Sequence, residues 1–208
     1  MSYRSVTHGA FAALLMLSLL AACAAPAPAW HGTPYDPPRQ APDFNLRGMD
    51  GGAVQLADFS DKPLLLCFGY TSCPDFCPTT LADLSWVFSE LGESADDAQV
   101  LFVTVDLEHD TDERLTGYLG RFNPAFVGAR PLDQASLQPL LEAYAAYAQE
   151  DAAATHSHGD AAEPPVTFTH SARVFLIDGD SRLITHYAFA TPREEILADL
   201  QLAMESGE

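Results

Sequence analysis

Basic residues are scarce in this chain of 208 residues: ten Lys plus Arg stand against 29 Asp plus Glu, a net charge of -19. Repulsion from phosphate argues against nucleic acid and anionic lipid surfaces as partners, whereas a cationic ligand or a basic protein is attracted. Long apolar runs are lacking too. The most extended, residues 10–22 (AFAALLMLSLLAA), falls short of the roughly 20 residues of a spanning helix, which excludes a multi-pass membrane protein. Cysteine is limited to four residues, too few for a disulfide framework to stand in for a core. A hydrophobic content of 48% makes such a framework unnecessary, because it is enough to bury a real core in a chain of one-domain length.

The short run at 10–22 follows a polar start with Arg4 and His8, and small residues lead from it into Cys23. This is the order of an export signal. The ending Leu20-Ala21-Ala22-Cys23 resembles a bacterial lipobox, in which Cys23 becomes a diacylated N-terminus. The alternative is an ordinary signal peptide with Cys23 as a bystander. Residues 24–42 are proline-rich (Pro26, Pro28, Pro34, Pro37, Pro38, Pro42) and read as an extended spacer that builds neither ladder nor helix, with a reach of roughly 60 Å at about 3.1 Å per residue. Trp30 and Tyr35 could instead pack back on the fold. The expected division is a leader at 1–22, a lipidated Cys23 with its tether to residue 42, and one domain at 43–208.

Within that domain strand and helix patterns alternate. Residues 44–46 and 53–56 flank Met49-Asp50-Gly51-Gly52, a hairpin signal, and 64–70 (LLLCFGY) form a continuous apolar run suited to a buried strand. Leu81, Leu84, Val87, Phe88 and Leu91 recur at helical spacing; 100–105 (VLFVTV) give a second buried strand, and 112–122 a second helix. A third helix is expected over about 134–148, then an Ala-, His- and acid-rich segment to Pro165. Strands at 173–177 and 183–189 around an Asp178-Gly179 turn precede a last helix at about 192–204. The order is βαβαββα with an extra N-terminal hairpin and a helical insertion. That is an α/β, thioredoxin-like fold, a central mixed sheet flanked by helices.

The chemistry concentrates where the first core strand meets its helix, in Gly69-Tyr70-Thr71-Ser72-Cys73-Pro74-Asp75-Phe76-Cys77-Pro78. A helix N-terminus lowers thiol pKa, and the thiolate is the form that ligates metals and attacks disulfides. Cys73 and Cys77, four residues apart, are within reach of a mutual disulfide or of one shared metal ion. Cys67, inside the apolar strand, reads as a core residue. His170 lies just before the strand at 173–177, in a loop that a thioredoxin-like fold turns toward the cysteines. Two thiolates and one imidazole make a soft site that favours Cu(I), with the histidine helping to hold Cu(II). A closed zinc site wants a fourth ligand, and none stands at short spacing.

These residues resemble the Sco/SenC family, thioredoxin-fold copper proteins of cytochrome c oxidase assembly. The resemblance runs from about Pro42 to the C-terminus. It is carried by FGYTSCPDFCP, which matches the family's CxxxCP pattern at Cys73 and Cys77, and by His170 followed by a short strand and Asp178-Gly179. VTVDLEHDT at 103–111 resembles a third family segment, with Leu107 and His109 where Pro and Arg are usual; Thr169 stands where an Asp usually precedes the histidine. The resemblance implies a metallochaperone that binds copper through Cys73, Cys77 and His170 and delivers it to the copper-bearing oxidase subunit, with other periplasmic copper or thiol-redox proteins as further partners. A second reading makes Cys73 and Cys77 the redox pair of a membrane-tethered thiol-disulfide oxidoreductase that keeps the acceptor's cysteines reduced.

Two more clusters carry chemistry-bearing residues. Asp106, Glu108, His109 and Asp110 follow the second strand, where Asp106 could orient the cysteine loop and Asp110 could cap the next helix. His156 and His158 could capture copper transiently or belong to a solvated loop.

Overall fold

The computed structural model describes residues 29–150 and 168–206; the leader, Cys23, His156 and His158 lie outside the described residues. The expected α/β architecture forms. One eight-stranded mixed sheet contains β1 (Thr33–Gln40), β2 (Asn45–Gly48), β3 (Ala53–Gln55), β4 (Leu64–Gly69), β5 (Gln99–Thr104), β6 (Val127–Arg130), β9 (Val174–Ile177) and β10 (Arg182–Tyr187). Its order is β1-β10-β9-β4-β5-β6-β2-β3. A separate two-stranded ribbon pairs β7 (Ala148–Glu150) with β8 (Phe168–His170). The helices are α1 (Phe76–Leu91), α2 (Asp112–Leu119), α3 (Gln134–Ala143) and α4 (Arg193–Glu205). Among the described residues no helix is long and apolar enough to cross a membrane.

Strand β4 is central because its sequence leaves no polar face: all six residues are buried, as a strand covered on both sides requires. It pairs in parallel with β5 and antiparallel with β9. Helix α1 turns Leu81, Leu84, Val87, Phe88 and Leu91 inward, and it packs against α4, which buries Ile196, Leu200 and Ala203. Each of these Leu, Val, Ile and Phe side chains contributes about 2 kcal/mol by leaving water.

Four features differ from the pattern reading. The proline-rich segment does join the sheet: β1 pairs antiparallel with β10 through Thr33↔His186, Pro34↔Thr185, Arg39↔Leu183 and Gln40↔Arg182, with a register break between Pro34 and Arg39. Proline is tolerated there because β1 is an edge strand and Pro37 and Pro38 fall inside the break, where no ladder donor is needed. Trp30 and Tyr35 pack against the core, so the docked domain starts well before residue 43. Helix α3 stops at Ala143, because Tyr144 is fully buried and Ala145 takes a left-handed backbone at φ 50°; the chain then enters β7. Strand β6 (VGAR), with a glycine and an arginine in four residues, carries no strand signal, yet it sits between β5 and β2 with its two middle residues buried.

The N-terminal segment is fastened by one buried carboxylate. Asp199 on α4, 1% exposed, accepts from the backbone N–H groups of His31 (3.0 Å) and Gly32 (3.1 Å) and from the Tyr187 hydroxyl (3.1 Å), and its Oδ1 lies 2.8 Å from His31 Nδ1. That hydrogen bond, with the charge of Asp199, raises the pKa of His31 above its ordinary 6.5. A raised pKa makes the stabilising contribution fully present below pH 6.5 and removes part of it as pH rises through the folded value. The melting temperature of wild type should therefore exceed that of His31→Ala most at pH 5.5, with the gap narrowing by pH 8. A gap that widens with pH would contradict this ion pair.

Candidate metal centre

The cysteine loop leaves β4 at Gly69 and enters α1 at Phe76. Glycine at 69 is a steric requirement: a Cβ there would lie 2.6 Å from Cys77 Sγ and 2.8 Å from the Phe102 ring. The loop begins as a turn in which the Cys73 N–H bonds the Tyr70 carbonyl at 3.2 Å, and Cys77, in the first turn of α1, brings its N–H to 3.5 Å from Cys73 Sγ. Pro78 fits the same turn, where its missing N–H costs nothing. Cys73 and Cys77 are 6% and 4% exposed. Both are thiols, as is Cys67, and their spacing permits either a mutual disulfide or one shared metal ion. The thiol pKa of Cys77 is pushed well above the ordinary value by the shared hydrogen bond with Cys73 and by burial. Cys67 behaves as the core residue expected, buried, with its pKa pushed up to about 12 by burial alone.

Facing this loop is the ribbon that carries His170, which is described through its backbone. His170 pairs with Ala148 in β8. The ribbon is fixed to the cysteine loop by Tyr70, whose hydroxyl accepts from the Phe168 N–H at 3.2 Å while the two rings meet edge to face at 5.1 Å between centroids. Ser171 ties its other end, with its N–H on the Tyr147 carbonyl at 2.9 Å and its hydroxyl oxygen accepting from the Tyr147 N–H at 3.0 Å. Between loop and ribbon lies a cleft of about 690 Å³, with Cys73 on one wall and Phe168, Thr169 and Ser171 on the other. Phe76, Tyr147 and Phe189, three of the few large apolar side chains left exposed, stand on its rim.

What holds the cysteine loop is Asp110, fully buried. It accepts from the Thr71 N–H (3.0 Å) and from the hydroxyls of Thr71 and Thr104. Arg114 closes the network from the surface, with Nε 2.8 Å from Thr71 Oγ1 and Nη2 2.6 Å from Ser72 Oγ. The expected roles of two carboxylates are therefore corrected. Asp106 does not reach the loop; it binds His109 through the N–H (3.0 Å) and Nδ1 (2.8 Å), which raises the His109 pKa. The helix cap is Thr111, whose hydroxyl accepts from the Arg114 N–H. Asp110 is thereby freed to orient the loop, which is what the pattern assigned to Asp106.

The comparisons follow this geometry. The SCO1/SenC family profile matches residues 33–205. The chain belongs to the SCO1/SenC family. Its match begins where β1 begins, so the proline-rich strand is part of the family unit. Relatives include an SCO2-like protein of Rickettsia conorii, 30% identical over 153 residues (73% of this chain, 71% of that protein), and SenC of Rhodobacter capsulatus, 28% identical over 157 residues (75% and 66%). Among solved structures the chain is similar to copper-bound ScoI of Bradyrhizobium japonicum, with TM-score 0.67, 33% identity and coverage of 79% of this chain and 99% of that one. It is also similar to apo Sco1 of Thermus thermophilus, with TM-score 0.70, 30% identity and coverage of 86% and 99%. The mixed sheet with its flanking helices is thus the thioredoxin-like fold of these proteins, several of which have been solved with copper bound.

Replacing Asp110 by Ala would leave the Thr71 N–H and Thr104 hydroxyl buried without an acceptor. We expect a loss of about 3 kcal/mol in urea unfolding. A loss below about 0.5 kcal/mol would mean that water replaces the carboxylate at no cost and that the loop is held otherwise.

Proposed function

We propose that this protein is a copper chaperone that binds one copper ion through Cys73, Cys77 and His170 and passes it to the copper-bearing subunit of cytochrome c oxidase. The observation that carries the reading is the cleft with Cys73 on one wall, the Cys77 N–H 3.5 Å from its sulfur, and on the other wall the strand that contains His170. Two sulfurs and an imidazole fit Cu(I) by softness, and the nitrogen extends the fit to Cu(II). Copper displaces the thiol protons on binding, so a cysteine held protonated in the metal-free protein is no obstacle to it. The aromatic rim offers an acceptor an apolar contact while sulfur ligands exchange one at a time. The site is placed outside the inner membrane by the leader, with Cys23 as the lipid anchor, so that chaperone and oxidase meet on one membrane face.

The thiol-disulfide oxidoreductase reading draws on the same closeness of Cys73 and Cys77. One experiment separates the two, because a disulfide consumes both sulfurs that copper needs. Anaerobic titration of the reduced soluble domain with Cu(I) should end at one equivalent. Cys73→Ser and Cys77→Ser should abolish tight binding, and His170→Ala should alter the sulfur-to-copper absorption of the Cu(II) form. Cys67→Ala should leave stoichiometry unchanged and cost about 1 kcal/mol of stability through lost packing. Rapid catalytic disulfide reduction by the metal-free protein, without copper transfer to a reduced acceptor peptide, would replace this reading by the second.

Lipidation is checked separately. Mass spectrometry of the mature protein should find a diacylated Cys23 at the N-terminus, and Cys23→Ser should release the protein from membranes. An unmodified N-terminus elsewhere would remove the anchor.

A further inference from the structure

The loop between β4 and α1 turns through the Cys73-to-Tyr70 bond, and Asp75, at the N-cap of α1, makes no side-chain capping bond. Asp110 grips Thr71 from the interior and Arg114 grips Thr71 and Ser72 from the surface. The Thr71 hydroxyl is used twice, donating to Asp110 and accepting from Arg114. An ionised carboxylate only accepts and a guanidinium only donates, so the direction of both bonds is fixed. Because Nε and Nη2 belong to one rigid plane, the two bonds also fix Thr71 and Ser72 relative to each other. The next residue is Cys73.

Helix α2 has no use for an arginine at this place. Thr111 is its N-cap, so Arg114 stands third in the first turn, where a capping box takes Glu or Gln and where the helix dipole opposes a cation. The ion pair with Asp110 is long, 3.9 Å, from a guanidinium side chain 48% exposed, and adds little. What the side chain does in exchange is hold the cysteine loop.

We propose that Arg114 is a positioning residue for the metal centre: its guanidinium plane sets the loop so that Cys73 stands beside Cys77 before copper arrives. The inference rests on the copper reading above. Without the two bonds the loop must be ordered during binding, and that cost appears as lost affinity.

Two variants test it. Arg114→Gln supplies the capping-box residue and cannot bridge both hydroxyls; it should melt at or above the wild-type temperature. Arg114→Lys keeps the charge but offers a single donor group where the plane offered two. Both should bind Cu(I), measured by competition with a chromophoric chelator, about tenfold more weakly than wild type. Both should shift the sulfur-to-copper absorption of the Cu(II) form. In the copper-free protein, iodoacetamide should alkylate Cys73 faster in both variants than in wild type. Wild-type affinity and alkylation rate in Arg114→Gln would overturn the proposal, and full recovery by Arg114→Lys would replace positioning with charge. Failure of the wild type itself to bind copper would instead sink the copper reading, and the alkylation rates would still decide whether Arg114 holds the loop.

Discussion

A carboxylate shut away from water must be given donors, and at Asp110 those donors come from two places that have no local reason to meet. Thr104 ends a buried strand, and Thr71 belongs to the loop that leaves the neighbouring strand. Left unpaired, the buried charge would cost several kcal/mol, so the loop cannot drift away without exposing or orphaning it. The backbone bond from the Val105 N–H to the Gly69 carbonyl, 2.8 Å, ties the same two strand ends together one layer above. The cysteine loop thus takes its shape from the sheet rather than from its own sequence. The loop is set by the folding of the core, and its geometry inherits the rigidity of β4 and β5.

Cys67 and Cys77 illustrate how position, not residue type, decides what a buried cysteine can do. Cys67 pairs within the sheet against Val174 and Phe102, surrounded by apolar side chains. Cys77 is equally buried, yet it sits four residues from Cys73, with its sulfur against the backbone of Gly69, where a Cβ on that residue would meet it at 2.6 Å. The thiol pKa of Cys67 is pushed up by burial, and that of Cys77 by the hydrogen bond shared with Cys73 and by burial. Cys77 has a second sulfur alongside it in Cys73, and Cys73 lines the cleft.

Much of this was legible in the residues. LLLCFGY could only be a strand covered on both faces, and the spacing of Leu81, Leu84, Val87, Phe88 and Leu91 could only be a helix lying on it. The cysteine spacing, CxxxCP at a strand-to-helix junction, named the site. Strand β1 escaped because proline argues against a ladder unless the strand is an edge, and edge position is a property of the whole sheet. Strands β6 and β7 escaped because VGAR and AQE carry no periodic signal; neighbours decide their state. Asp110 was indistinguishable from a helix cap next to Thr111, since one partner, Thr71, stands 39 residues away and the other, Thr104, is a buried strand end six residues earlier whose orientation only the fold sets. Arg114 carried a faint local signal, a cation in a helical first turn that prefers acids, and nothing in the pattern alone said what it was exchanged for.

The docking of β1 has a geometric consequence for the whole assembly. The register runs Thr33↔His186, His186↔Phe175, Phe175↔Leu66, so β1 runs opposite to β4 and the chain approaches it from the edge of the sheet at which β4 ends. The chain therefore enters the domain at the end of the sheet that carries Cys73 and Cys77, with Trp30 already packed on the core. Whatever is attached ahead of Trp30 is thereby held at the cleft's end of the molecule, and the opposite end of the sheet is turned away from it.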